Sequence, residues 1–180
     1  MIDAKQRFSE ALLTLCSKYS LEKISVTDLV KETGSSRQTF YNHFQDKNDL
    51  IQYVYESRCL YVWEKEDCYE NYMKYCIEYF RNLKSLQHFL IQACKMKGQN
   101  NLSDFIVSYA NKWEQKWFLK YHPSGDYPPE YQFQIDYHCY GMMHLVISWV
   151  LSGMTVSPEK MAALVTRFRN ASLAELLISE

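Results

Sequence analysis

The chain has 180 residues, of which 47% are hydrophobic and 16% aromatic, and its formal net charge is −1. So much apolar content with so little net charge excludes a disordered chain and requires a substantial packed core. Near-neutrality also means that bulk electrostatics announce no polyanionic partner, so a nucleic-acid interface would have to come from the geometry of particular residues.

Five glycines and four prolines fall in a few clusters. The long uninterrupted stretches between them suit an all-α protein better than one of many short strands. The six cysteines, at 16, 59, 68, 76, 94 and 139, form no C-x-x-C pair, which leads us to expect reduced, mostly buried thiols. No basic-then-apolar signal segment opens the chain. The longest apolar run, Cys139 to Leu151, has 13 residues and contains His144 and Ser148, too short to span a bilayer. A soluble, cytoplasmic protein with no membrane partner is expected.

The first helix is predicted over about 3–19, because Phe8, Ala11, Leu12, Leu15 and Tyr19 form one stripe of helical period. Ser25 with Asp28 resembles a capping box for a second helix, with Leu29 and Val30 facing inward and Gly34 ending it. Ser36 can cap a short third helix through Tyr41 to His43, with Phe40 and Phe44 on one face. Asp46 then caps a longer fourth helix, with Leu50, Ile51, Val54 and Leu60 on its apolar side.

The tyrosine-rich segment 69–96 has helical period and a break near 82–85. Gly98 to Asn101 reads as a loop. A helix over about 101–121 carries Phe105, Tyr109, Trp113 and Trp117 at repeated i, i+4 spacing. The turn cluster His122 to Pro129 precedes two last helices, over about 129–152 and 158–178, with Ser157-Pro158 as the cap and first residue of the latter. The fold class expected is all-α with about nine helices. Its expected division is an N-terminal module over 1–50 and a larger helical region over 51–180.

Two short helices joined through a glycine-containing turn and braced by longer ones describe a helix-turn-helix. Its second helix can enter the major groove of double-stranded DNA. Phe40 and Phe44 would anchor that helix, leaving Arg37, Gln38, Tyr41 and Asn42 outward. Arg37 suits a guanine edge, and Gln38 and Asn42 suit adenine. Ser36, Thr39, Tyr41 and His43 offer donors to phosphate, and Lys47 stands at a helix start where charge and dipole can both meet the backbone. Residues 1–50 carry seven Lys/Arg and seven Asp/Glu, so charge alone does not support this reading.

Residues 25–50, SVTDLVKETGSSRQTFYNHFQDKNDL, resemble the DNA-binding signature of the TetR family of one-component regulators. The resemblance rests on Asp28-Leu29, Gly34, Ser36-Arg37, Thr39-Phe40-Tyr41, His43-Phe44, Lys47 and Leu50. It implies that Thr27, Ser36, Arg37, Gln38, Thr39, Tyr41, His43 and Lys47 sit where relatives contact DNA. Gln38 departs from a frequent glycine, and Ser35 from a small apolar residue. The stretches Tyr140-Gly141 to Trp149, Ser152-Gly153-Met154 and Ser157-Pro158-Glu159 are similar to a TetR subgroup, some of whose members are associated with dihydroxyacetone kinase regulation.

The helix around 139–151 is apolar nearly all round and so needs two packing surfaces. One reading gives the second surface to another copy of the chain. Tyr140, Gly141, His144, Ile147 and Leu151 would then pair with Leu164 and Phe168 of the last helix, whose apolar series continues through Leu173, Leu176 and Leu177. The other reading is a monomer's core helix. Tyr72, Tyr75, Tyr79, Tyr109, Trp113 and Trp117 are candidates to line a pocket for an apolar or aromatic effector, ordinary aromatic core being the alternative. A ligand-responsive dimeric repressor on a pseudo-palindromic operator is the leading expectation. An activator or co-regulator that recruits a protein partner is the other.

No Gly-rich phosphate loop, nucleophile motif or H-x-x-x-H pattern occurs, and His138 and His144 are six apart. Neither catalysis, a metal site nor a cofactor is expected.

Overall fold

The structure, a computed structural model, describes residues 3–125 and 129–170. Among these residues it has no strand and nine α-helices. They are α1 (Ala4–Cys16), α2 (Val26–Thr33), α3 (Arg37–Tyr41), α4 (Lys47–Cys59), α5 (Tyr72–Ser85), α6 (Gln87–Ala93), α7 (Leu102–Tyr121), α8 (Pro129–Leu151) and α9 (Pro158–Asn170), with a 3-10 turn at Leu60–Glu64 between α4 and α5. The all-α expectation is met.

Phe8, Ala11, Leu12 and Leu15 of α1 are buried as their spacing requires. Tyr19 is not part of that stripe. The helix stops at Cys16, the next residues turn, and Tyr19 is 61% exposed. The turn after α1 is gripped from two sides: the Gln92 side chain of α6 accepts the Leu21 backbone N–H at 2.7 Å, and Lys47 of α4 donates to three of its carbonyls.

The predicted capping box of α2 is present. The Ser25 hydroxyl accepts the Asp28 N–H at 3.3 Å, and Asp28 Oδ2 accepts the Ser25 N–H at 2.9 Å. The helix ends where Gly34 enters the left-handed region at φ 64°. There the Gly34 and Ser35 N–H groups reach back to the Lys31 and Val30 carbonyls. A side chain at Gly34 would strain that backbone, and this is why a glycine stands there. Ser36 caps α3 by accepting the Thr39 N–H at 3.0 Å. Phe40 and Phe44 are both buried, with the Phe8 ring edge-on to each.

Leu50, Ile51 and Val54 of α4 are buried as expected. Leu60 is buried too, but α4 ends at Cys59 and the chain tightens into the 3-10 turn that carries Leu60, Val62 and Trp63 inward. The break in the tyrosine-rich segment falls at Leu86, and its first helix begins at Tyr72 rather than 69. Asn101 caps α7 through the Asp104 N–H. Ser157 accepts the Lys160 N–H at the start of α9.

Helix α9 packs along α5, α8 along α7, and α4 against both α1 on one side and α5 and α7 on the other. Helix α4 therefore runs through the boundary expected at residue 50 and belongs mechanically to both ends. Burying about forty mostly apolar residues between these layers supplies the main driving force. Leu173, Leu176 and Leu177 lie outside the described residues.

Candidate nucleic-acid interface and central cavity

The helix-turn-helix presents its expected face. Arg37, Gln38, Tyr41 and Asn42 are exposed, as are Thr27 and Ser36, while Thr39 and His43 are half-buried. The cause is local. Phe40 at 0% and Phe44 at 2% exposure pin one side of α3, and a five-residue helix so pinned must turn its other side outward. Tyr41 is 56% exposed and sets its ring edge-on to Phe40 at 5.3 Å, which steadies it without covering it.

Two local hydrogen bonds organise this face. Arg37 Nη2 donates to Thr27 Oγ1 at 2.6 Å, tying α3 to the start of α2. The Ser36 and Thr39 hydroxyls lie 2.8 Å apart. Gln38 and Asn42 have no such local partner among the described side-chain bonds, so their amides face solvent ready to pair.

Lys47 departs from its expected role. Its Nζ donates to the carbonyls of Leu21, Glu22 and Ile24 at 2.8, 3.0 and 2.8 Å, which uses all three ammonium donors. Desolvation pushes its pKa down, partly offset by the Glu22 charge. The α4 N-terminus is not open to an anion either. Asp46 accepts the Asp49 N–H and Asp49 accepts the Gln45 N–H, so two carboxylates already occupy that end. The first fact has a tertiary cause, the loop between α1 and α2 folding over the start of α4 with carbonyls to satisfy. The second is local capping.

The C-terminal helices surround a cavity of about 60 Å³. Of the six aromatic residues expected at a pocket, Tyr72, Tyr79, Tyr109 and Trp113 line it. Tyr75 and Trp117 do not. Tyr75 turns its hydroxyl to Asp67 at 2.7 Å, and Trp117 faces a separate outer cleft with Tyr69, Phe118 and Tyr121. The i, i+4 spacing drifts around a straight helix, so the far end of the Phe105–Trp117 stripe leaves the cavity face.

The sequence reading missed Tyr55, Trp63, Glu114, His138 and Arg169 in the same walls. Arg169 forms a bidentate pair with Glu114, with Nη2 to Oε2 at 2.8 Å and a second bond from Nη1 to Oε1. Its guanidinium lies over the Tyr72 ring at 4.6 Å and within 5.5 Å of Tyr69 and Trp113. One signal pointed to it. Ala162, Val165 and Arg169 follow the buried stripe of α9, and an arginine on an apolar stripe needs a buried partner. His138 lines the cavity with its pKa lowered, first by burial and then by the Arg169 charge.

All six cysteines are buried and unpaired, as expected. Burial pushes the Cys59, Cys76 and Cys139 thiols up to about 12, which leaves them as unreactive packing groups. Among the described residues no helix is long and apolar enough to cross a membrane.

On α8 an unpacked apolar stripe faces solvent. Phe133, Tyr137, Tyr140, Leu145 and Leu151 are exposed, Tyr137 by 77%, and so are Gly141 and His144 beside them. Leu164 and Phe168 of α9 are exposed as well. Ile147 is not exposed with them. It is half-buried at the rim of the face, in line with Tyr140 to within about 20° around the helix, and its side chain reaches the core.

Residues 10–54 match the bacterial regulatory proteins of the tetR family, and residues 70–171 match the transcriptional regulator C-terminal region of the same type. The second match alone spans more than half of the chain, and the chain belongs to the TetR family. HTH-type transcriptional regulators of Staphylococcus aureus strains MRSA252 and USA300 are 30% and 31% identical to it over 105 residues, 54% of this chain and 56% of theirs. The match thus spans little more than half the length of those relatives. The fold is similar to that of the dihydroxyacetone kinase operon activator DhaS, with a TM-score of 0.67, 21% identity, and coverage of 98% of this chain and 97% of that one. It is also similar to a protein of Syntrophomonas wolfei strain Goettingen described as a TetR-family regulator, with a TM-score of 0.62 and 14% identity over 98% and 97% of the two chains.

Proposed function

We propose that this chain is a dimeric, sequence-specific DNA-binding transcription regulator whose C-terminal helices hold an effector site. The observation that carries the proposal is α3, clamped from beneath by Phe40 and Phe44 with Arg37, Gln38, Tyr41 and Asn42 turned outward. Residues 1–50 are the DNA-binding module and 51–180 the effector and dimerisation region.

Arg37, Gln38 and Asn42 read base edges, while Thr27, Ser36, Thr39, Tyr41 and His43 position the module on phosphates. Lys47 serves as the clasp of the α1–α2 loop. With as many acids as bases in the module, phosphate contacts rest on hydroxyls and on His43 rather than on a cationic field.

The exposed apolar stripe of α8 with Leu164 and Phe168 of α9 supports a two-fold dimer, because a contiguous apolar face of this kind is covered in most proteins of this size. Two such modules would engage successive major-groove faces roughly 34–36 Å apart, on a pseudo-palindromic operator. An effector in the aromatic cavity would favour one spacing of the two α3 helices over another. A cytoplasmic repressor is the reading that follows most directly. The similarity to an operon activator supports a second, in which the same module raises transcription.

Selection of double-stranded DNA from a random pool tests the proposal. The expected result is a pseudo-palindromic consensus bound at nanomolar strength, with affinity falling log-linearly as salt rises. Tyr41→Ala should lose that binding. Absence of any enrichment at low salt would refute the proposal, and transcription from a reporter carrying the consensus separates repression from activation.

A further inference from the structure

Two tyrosines of the cavity wall carry a hydrogen-bond donor for which the described residues offer no acceptor. Tyr55 of α4 and Tyr79 of α5 both line the cavity and are only 1% and 5% exposed. Their hydroxyl oxygens lie 2.5 Å apart. Two phenols carry two protons, and one hydrogen bond between them consumes one. The second proton has no acceptor among the described residues, although both hydroxyls are buried and such a group costs free energy when left unmade.

The other polar groups of the walls are differently placed. Trp113 Nε1–H donates to the Trp63 carbonyl at 3.1 Å, and the Tyr109 hydroxyl donates to Glu64 at 2.8 Å. Glu114 and Arg169 neutralise each other through two bonds. Burial and the Arg169 charge lower the His138 pKa, which favours the neutral imidazole. The cavity therefore offers no net charge to a ligand, Tyr72 and His138 being its further polar wall groups. An ion entering it would be buried without a counter-charge unless that pair broke. Around the tyrosine pair stand Leu60, Trp63, Phe80, Met142 and Val146, all apolar and buried.

Size narrows the choice. At about 60 Å³ the space is smaller than the roughly 150 Å³ of an engineered cavity that takes up benzene, and one water needs about 10–15 Å³ on the same scale. Between these two yardsticks the space takes a ligand of about two to six non-hydrogen atoms.

We propose that the cavity binds a small uncharged oxygen-bearing molecule of the short ketone or alcohol class. Its oxygen accepts the spare Tyr55–Tyr79 proton, and its carbon skeleton lies against Trp63, Phe80, Met142 and Val146. The proposal rests on the reading of this cavity as the effector site and names the chemistry of its occupant.

The test uses the full chain, with tryptophan fluorescence and protein NMR as readouts and four probes of one shape. They are 2-butanone, 2-methyl-1-butene (the same skeleton with a methylene for the oxygen), propionate and propionamidinium. The expected result is saturable binding of 2-butanone about tenfold tighter than the alkene, the ratio one net hydrogen bond provides, with both ions weaker still. In the double variant Tyr55→Phe/Tyr79→Phe the ketone should fall to the level of the alkene. Unchanged alkene binding would show that the cavity is still formed.

Equal ketone and alkene affinities in the wild type would overturn the proposal, as would ketone binding that survives the double variant. Tightest binding by propionate or propionamidinium, or no binding by any probe, would also overturn it, the last leaving water as the partner of the spare proton. Operator affinity is measured separately. Ketone binding that leaves DNA affinity unchanged keeps the ligand assignment and removes the effector role.

Discussion

The two functional ends of this molecule are built in opposite ways. At the helix-turn-helix, the helix caps are short-range: Ser25 with Asp28, Ser36 with Thr39 and Asp46 with Asp49, each three residues apart. Its longer ties, Thr27 with Arg37 and Leu21 with Lys47, span 10 and 26 positions. Around the cavity, the organising contacts join residues far apart in the chain, Tyr55 with Tyr79 across 24 positions and Glu114 with Arg169 across 55. The DNA-facing end therefore gets its shape from local rules and a few aromatic anchors. The cavity exists only once α4, α5, α7, α8 and α9 have come together. A local site tolerates change elsewhere in the fold, whereas a site assembled from five helices registers any shift among them. That difference suits one end to constant recognition and the other to sensing.

Two adjacent substitutions in α3 have the largest expected contrast. Phe40→Ala removes a fully buried ring and should cost about 3–5 kcal/mol in urea unfolding. Tyr41→Ala removes a ring that is mostly exposed and should change stability by no more than about 0.5 kcal/mol, while operator binding is lost. Equal stability losses from the two would mean that α3 is not clamped from one side.

Next comes the ion pair that closes the cavity. The Glu114 and Arg169 side chains are 13% and 15% exposed, so removing either partner should cost about 3 kcal/mol, the lower end of the range for buried pairs. Replacing both by methionine should recover most of that loss. A double variant as unstable as the singles would show that Arg169 matters for its stacking on Tyr72 rather than for its charge.

The smallest effect concerns Lys47. Lys47→Ala leaves three loop carbonyls without their donor and should lower stability by about 1–3 kcal/mol. The slope of operator affinity against salt should stay as in the wild type, because a clasp does not release counterions. A slope reduced by about one would reveal a direct phosphate contact instead.

The caps, the glycine stop of α2, the burial of Phe40 and Phe44 and the outward face of α3 were all legible in the chain, because each depends on residues within a turn or two. The tertiary partners of Lys47 were not legible, for the complementary reason. Its position at a helix start was visible, but the loop carbonyls that occupy it come from about 25 residues earlier. Periodicity identified four cavity residues and placed two more, Tyr75 and Trp117, where they do not belong. Spacing says which residues share a helix face and nothing about which neighbour that face will meet.

The all-helical course, the helix-turn-helix and the exposed face of α3 follow from the chain alone, since helical period and capping act over three to four residues and need no partner. Only the tertiary structure decided that Tyr55 would meet Tyr79, that Arg169 would find Glu114, and that α8 would keep an apolar stripe uncovered. Those outcomes depend on how helices cross and pack, and side-chain volumes summed over the whole core set that geometry.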